Sequence, residues 1–210
     1  MSPATCRVIA YVDGFNLYYG LRSNEWRKYY WLDLVGLSRS LMKPGQKLVH
    51  VHYFSARIRG DGAKKGDAKR QSTYLDALSA STDLTIHFGH YLQKERTCRK
   101  CGATWKTDEE KMTDVNIASQ LLEDGFDEKF ATALVISGDS DLTTPIDRLR
   151  ARFSQLRIII VFPPNRRSHQ LMKAAHGHMV IGEDKLRQNQ LPPTITMPNG
   201  HLVQRPDHWK

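Results

Sequence analysis

Two short runs of apolar and β-branched residues, Cys6–Val12 and Ala131–Ile136, each break off into an acidic turn. Asp13-Gly14 follows the first, and Ser137-Gly138-Asp139-Ser140-Asp141 follows the second. A run with so little polar alternation suits a strand buried on both faces, as in a parallel sheet covered by helices. In such a sheet, ligands bind outside the carboxyl ends of the strands, where the strand order reverses. If these two strands are neighbours, Asp13 meets Asp139 and Asp141 at one edge. A further acid, Asp114, lies in the segment Glu109–Ala118 and opens a helical pattern. Gathered carboxylates bind a hard cation, Mg²⁺ or Mn²⁺, through oxygen. That arrangement suits metal-assisted attack on a phosphodiester.

The rest of the chain alternates strand and helix signals. Helices are expected at Phe15–Ser23, Leu32–Met42, Gln71–Ser79, Asp114–Glu123, Leu142–Arg152 and His169–Ala175. Strands are expected at Leu48–Phe54, Leu84–Tyr91, Leu156–Phe162 and His178–Ile181. This alternation predicts an α/β chain with a mostly parallel central sheet between two helical layers. Residues 1–182 form the expected domain, interrupted by a small insert at about 92–108. From 183 to 210 the composition turns polar and proline-rich, which predicts a wrapping or disordered tail.

Of 210 residues, 31 are Lys or Arg and 22 are Asp or Glu, a net charge of +9. A basic chain with an acidic centre needs a cation for the acids and a polyanion for the surplus Lys and Arg. Nucleic acid is the favoured partner; a merely solvated basic surface is the alternative. Three cysteines argue against a disulfide-built secreted domain. The amino terminus lacks a signal-peptide pattern, and no apolar run approaches a membrane span. These features predict a cytoplasmic protein without a membrane partner.

Each acid also has an ordinary structural reading. Asp13-Gly14 suits a turn, Asp139 an Asx turn, and Asp114 a helix start. Their recurrence at one topological edge favours the metal reading, because crowded carboxylates repel unless a cation neutralises them. Asn16, one turn into the first helix, is a candidate to hold water or phosphate, or is a capping residue.

The segments VDGFN (Val12–Asn16) followed by LYYG, then EEKMTDVNIA (Glu109–Ala118) and VISGDSDL (Val135–Leu142), resemble the NYN family, in its LabA/DUF88-type branch, of PIN-like nucleases. The resemblance spans Val8 to about Ile181. It implies a three-layer α/β/α Rossmann-like PIN fold, a Mg²⁺ or Mn²⁺ site, and endoribonuclease-type cleavage. It makes Asp13, Asp114, Asp139 and Asp141 the acidic site and Asn16 its polar companion. Two positions depart from the family pattern. Met112 stands where many relatives have Gly, and Ala175-His176 stands where many have Ala-Asp. Some relatives carry other enzyme labels, including a pyridine-ring hydroxylase, but no flavin or dinucleotide fingerprint is present here.

Cys98-Arg-Lys-Cys101-Gly102 resembles half of a zinc ribbon. Either His87 and His90 complete a structural Zn²⁺ site, or two copies of the chain share two Cys pairs as a homodimer; a metal-free hairpin is the alternative. Cys6 reads as a strand residue. Basic side chains cluster at Arg57–Arg70 (Arg57, Arg59, Lys64, Lys65, Lys69, Arg70), at Arg96–Lys106 and at Arg166-Arg167. With Tyr18, Tyr19 and Trp26 they are expected to track a single nucleic-acid strand by charge and stacking; that the strand is RNA is what the resemblance implies. Lys111 either neutralises a phosphate or pairs with a neighbouring acid. The function expected is a Mg²⁺- or Mn²⁺-dependent ribonuclease; the rival is a non-catalytic nucleic-acid-binding or regulatory module.

Overall fold

Six strands run parallel through the middle of the protein, in the order β3-β2-β1-β6-β7-β8. The computed structural model describes residues 6–58, 60 and 64–209. The strands are β1 (Cys6–Asp13), β2 (Gln46–Ser55), β3 (Leu84–Phe88), β6 (Thr132–Ile136), β7 (Arg157–Phe162) and β8 (Gly177–Val180). From β1 the chain steps outward to β2 and β3. It then returns to the other side of β1 for β6, β7 and β8. The reversal falls between β1 and β6, which pair from Val8↔Thr132 to Val12↔Ile136. Asp13 and the acidic turn after β6 therefore share one edge, as the apolar runs predict.

Alternate residues of β1 face the two helical layers, because successive side chains in a strand point to opposite faces. Val8, Ala10 and Val12 pack with α1 (Gly14–Ser23), α2 (Leu34–Ser40) and α3 (Lys65–Ser79). Ile9 and Tyr11 pack with α4 (Thr113–Phe126), α5 (Thr143–Arg152) and α6 (His169–Ala174). Short side-chain caps set where helices begin. Asp13 receives the Asn16 amide at 2.9 Å, and Asp33 receives those of Val35 and Gly36. No helix among the described residues is long and apolar enough to cross a membrane.

Three local expectations are corrected. The polar loop expected over Arg57–Arg70 ends early: Lys65, Lys69 and Arg70 lie in α3, and Arg59 lies outside the described residues. The strand expected over Leu84–Tyr91 breaks at Gly89. There the chain leaves the sheet into an antiparallel hairpin, β4 (His90–Thr97) and β5 (Thr104–Lys111). The insert is thus longer than the polar segment around Cys98 suggests, because strands of charged and polar residues show no apolar alternation.

The segment after 182 wraps the domain. It forms α7 (Glu183–Gln188) and a small hairpin of β9 (Thr194–Thr196) and β10 (Leu202–Gln204). Val203 and Trp209 close over Trp31 and Ala77, and the Trp31 indole donates to Pro192 O at 2.8 Å. Scattered apolar anchors among prolines hold this segment down, which an average over composition does not register.

Candidate metal and nucleic-acid site

Asp13 ends β1 with a carboxylate that is only 2% exposed. Its Oδ1 accepts the Asn16 backbone amide. Its Oδ2 accepts the Asn16 side-chain amide at 2.7 Å and the Ser137 hydroxyl at 2.7 Å. Burial pushes its pKa up; the bonds from Asn16 and Ser137 offset part of this, and Asp139 adds to the rise. The capping reading of Asp13 is realised, and its buried carboxylate lies close enough to Asp139 to feel its charge.

Ser137 carries the connection to the next strand. Its Oγ accepts the Asp139 amide at 3.0 Å, and Asp139 Oδ1 accepts the Asp141 amide at 2.9 Å. Gly138 N–H points at Asn16 Oδ1, 3.3 Å away. A side chain at Gly138 would collide with the Arg166 carbonyl, so only glycine admits the turn after β7 this close to the acids.

Asp114 occupies the first turn of α4, opposite this turn. Its pKa is pushed up to about 6, first by burial and then by Asp139, Asp13, Glu110 and Asp141. Asp114 thus feels the charge of the other three expected acids and of Glu110. Glu110 Oε1 also accepts the Thr113 amide at 3.0 Å. Sequence reasoning passed over Ser137 and Glu110 as site residues, although both stand inside the motifs that carry Asp139 and Asp114.

The oxygen-only set fits a hard divalent ion. A carboxylate pushed up to about 6 by burial and then by four neighbouring carboxylates marks a place where a cation would relieve negative charge. Among the described residues, no three His, Cys, Asp or Glu side chains stand as a ready metal-ligand group. Mg²⁺ usually keeps several waters and takes only one or two carboxylates together with substrate phosphates. An open rim of acids is compatible with that mode.

The expected basic residues are distributed unevenly. Arg166 sits beside the site, its guanidinium 5.5 Å from the Tyr19 ring centroid. Tyr18 and Tyr19 are exposed, whereas Trp26 is half-buried against Tyr29. Arg57 lies over Phe88 at 4.7 Å, Lys64 pairs with Asp108 at 2.9 Å, and Lys111 pairs with Glu109 at 3.4 Å. Lys65 is exposed at the start of α3. One turn further on, Lys69 and Arg70 line a groove under the C-terminal wrap with Pro193 and Gln204.

Cys98 and Cys101 sit at the tip of the β4–β5 hairpin. The expected completion by His87 and His90 is not formed. His87 Nε2 lies 2.9 Å from His52 Nδ1 on the sheet, and His90 begins β4 opposite Lys111. His176, the departure near the last helix, accepts the Ile158 amide near the start of β7, at the other end of the strand from the acids. A carboxylate there would not have joined the site.

A model of the NYN domain family matches residues 7–182. Among curated proteins, the chain is 30% identical over 244 residues to 6-hydroxy-3-succinoylpyridine 3-monooxygenase HspA of Pseudomonas putida (strain DSM 28022 / S16). That alignment covers 97% of this chain and 75% of HspA. Among solved structures, it is similar to VPA0982 of Vibrio parahaemolyticus RIMD 2210633, a protein of unknown function. The TM-score is 0.54 and the identity 17%, over 91% of this chain and 100% of the other. The last likeness concerns the fold alone.

Proposed function

Because the chain belongs to the NYN domain family, we propose that it is a Mg²⁺- or Mn²⁺-dependent endoribonuclease acting on single-stranded RNA. NYN domains have a nuclease-like fold and typically use divalent metals. The observation that carries the reading is Asp114, pushed up to about 6 first by burial and then by the charges of Asp139, Asp13, Glu110 and Asp141, at the edge where the strand order reverses.

Asp13 and Asp139 would hold the ion, with Asp141 and Asp114 completing the rim. When bound, the ion supplies charge stabilisation to the phosphoryl group and lowers the pKa of an attacking water. Asn16 and Ser137 fix both oxygens of Asp13, so that its orientation is set before substrate arrives. Asp114, pushed up to about 6 first by burial and then by neighbouring carboxylates, would give up its proton on binding the cation and so complete the rim as a carboxylate. Tyr19 and Arg166 offer a stacking face and a phosphate contact beside the acids. Lys64, Lys65 and Lys111 extend the path toward the hairpin. The choice of RNA over DNA rests on the family alone. RNA as substrate and unpaired cysteines agree with a cytoplasmic setting.

HspA motivates a second reading, hydroxylation of a pyridine ring. The first strand-to-helix turn speaks against a dinucleotide there. Asp13 caps the helix at the place where a pyrophosphate would need an uncharged, close backbone.

The test is cleavage of labelled single-stranded RNA by purified protein with Mg²⁺ or Mn²⁺, with EDTA, and by Asp139→Asn. Loss of cleavage in EDTA and in the variant is expected. Undiminished cleavage in EDTA would sink the metal mechanism. RNA binding without turnover under any metal would favour the non-catalytic module. Oxygen uptake with a hydroxypyridine and a reduced nicotinamide or flavin would favour the hydroxylase.

A further inference from the structure

We infer that Cys98 and Cys101 form half of a tetrathiolate zinc site that is closed by the same two residues of a second copy of this chain. The β4–β5 hairpin ends in a tight turn, with Cys98 N–H donating to Ala103 O at 2.8 Å and Gly102 N–H to Cys98 O at 2.9 Å. Gly102 has φ +71°, the left-handed conformation that favours glycine. Both thiols thus stand on one short turn that Gly102 closes. This is the local geometry in which a short Cys-x-x-Cys-Gly turn presents two ligands to a tetrahedral ion.

Structural zinc takes four protein ligands, and this tip offers two. Among the described residues, no third His, Cys, Asp or Glu joins them. Cys6 is on β1, near the Thr132 hydroxyl. His90 is at the opposite end of the hairpin, seven residues from Thr97, or about 23 Å at strand rise. His87 is held by His52 on the sheet. The missing pair must come from another molecule.

Two observations favour a second copy as that molecule. A two-fold axis through the ion presents the same half-site twice, the simplest closed symmetry for a homo-oligomer. Charge agrees. Zinc bound by four thiolates carries a net charge of −2, and each tip presents exposed Arg99, Lys100 and Lys106 around it. Bringing two such basic tips together without an anionic centre would be opposed by repulsion. Trp105, one residue past Thr104 and 50% exposed, offers an apolar ring next to the knuckle for the partner tip to cover. The hairpin is a separate two-stranded sheet joined to the domain at its base. The inference does not depend on the chemistry at Asp13.

The full chain, expressed with zinc and purified without chelators, tests it by elemental analysis and light scattering. One zinc per two chains in a dimer is expected. Cys98→Ser and Cys101→Ser should each lose the zinc and become monomeric. Their far-UV circular dichroism and main melting transition should stay unchanged, since neither thiol packs in the core. Replacing zinc with Co²⁺ should give the visible bands of a tetrahedral thiolate site. Protein without zinc, a zinc-loaded monomer, one zinc per chain, or a dimer that survives Cys98→Ser would each overturn the proposal.

Discussion

The Ser137 hydroxyl stands 2.7 Å from Asp13 Oδ2 and accepts the Asp139 amide at 3.0 Å, so one side chain ties the carboxyl ends of β1 and β6 together. Ser137 is fully buried. Ser137→Ala leaves Asp13 Oδ2 with one donor fewer and the Asp139 amide without its acceptor. An unsatisfied buried polar group costs about 1–3 kcal/mol. Chemical denaturation should show a loss in that range. RNA cleavage should fall at least about tenfold, since a tilt in Asp13 displaces the group that holds the ion. A variant equal to wild type in both would mean that the hydroxyl only fills space.

The edge bearing these residues was legible because its signal is local. Cys6–Val12 and Ala131–Ile136 are apolar without interruption, and their acids follow within a few residues. The network around Asp124 was not legible. Tyr11, His52, Gln120 and Lys129 all reach Asp124, and His52 meets His87. These residues are scattered from 11 to 129 and meet only through sheet register, Tyr11↔His52 across β1 and β2. Their alternation on β2 looks like that of an ordinary strand with a solvated face. The hairpin escaped for a related reason: strands made mostly of charged and polar residues leave no apolar pattern.

Met112 has φ +81° immediately before α4. This is the position where many NYN relatives have glycine, and the left-handed backbone supplies the reason. A non-glycine residue held there stores about 1–3 kcal/mol. Glycine gives back part of that through a more flexible unfolded chain. Met112→Gly is therefore expected to stabilise the protein by about 1 kcal/mol, a Tm rise of about 2–4 °C for a domain of this size. Scanning calorimetry decides it. A fall in Tm would show that the exposed Met112 side chain contributes packing that outweighs the strain.

Asp114 titrates at about 6, above the range of an unfolded aspartate. Between roughly pH 4 and 6 the folded protein holds a proton on this group that the unfolded chain has lost. Its contribution to stability is therefore present at low pH and is lost as pH rises through about 6. Asp114→Asn removes that cost. In metal-free protein at pH 7 it should raise stability by about 1 kcal/mol, a figure reduced from the full shift because solvent screens a partly exposed group. The gain should vanish at pH 4. An Asp114→Asn protein destabilised at pH 7 would make the residue a helix-start anchor instead.

The imidazoles on β2 and β3 work in the opposite direction. Burial pushes His87 and His50 below the ordinary histidine value, and the nearby His52 adds to this. Burial would raise Asp124, but bonds from His52, Tyr11 and Lys129 outweigh it and hold the carboxyl well below its usual range. Below about pH 6.5 the unfolded chain takes up protons that folded His87 and His50 resist, so stability falls as pH drops. Asp124 adds stability above the ordinary carboxylate range, and this is lost only in strong acid. Because Asp114 has the contrary slope, wild type alone does not separate them. His87→Phe keeps the stack on Phe54, whose ring is 4.7 Å from that of His87. In thermal melts from pH 8 to 5, this variant should lose less Tm on acidification than wild type. Parallel curves would place the acid sensitivity elsewhere.

The path of the RNA over the surface can be divided by position. Arg166 lies over Tyr19 beside Gly138, and Lys64 and Lys65 stand where α3 begins, near Asp108 of the hairpin. A strand crossing the acidic edge meets these first. The Lys64 ammonium is half-exposed while the Asp108 carboxylate it meets is largely buried, so a phosphate would share Lys64 with Asp108. Lys69 and Arg70 instead face the C-terminal wrap, and Arg70 already pairs with Asp67. Each phosphate contact with a single strand contributes about −0.7 to the slope of log K against log salt. Arg166→Ala, and the pair Lys64→Ala with Lys65→Ala, are each expected to flatten that slope by about one such contact and to weaken binding. Lys69→Ala with Arg70→Ala should leave it unchanged. Affinities measured in EDTA, so that the RNA stays intact, give the three slopes. If only the Lys69 and Arg70 variant flattened the slope, the strand would lie in the groove under the C-terminal wrap. The acids at Asp13 would then lie off its path, which would weaken the nuclease reading together with the route.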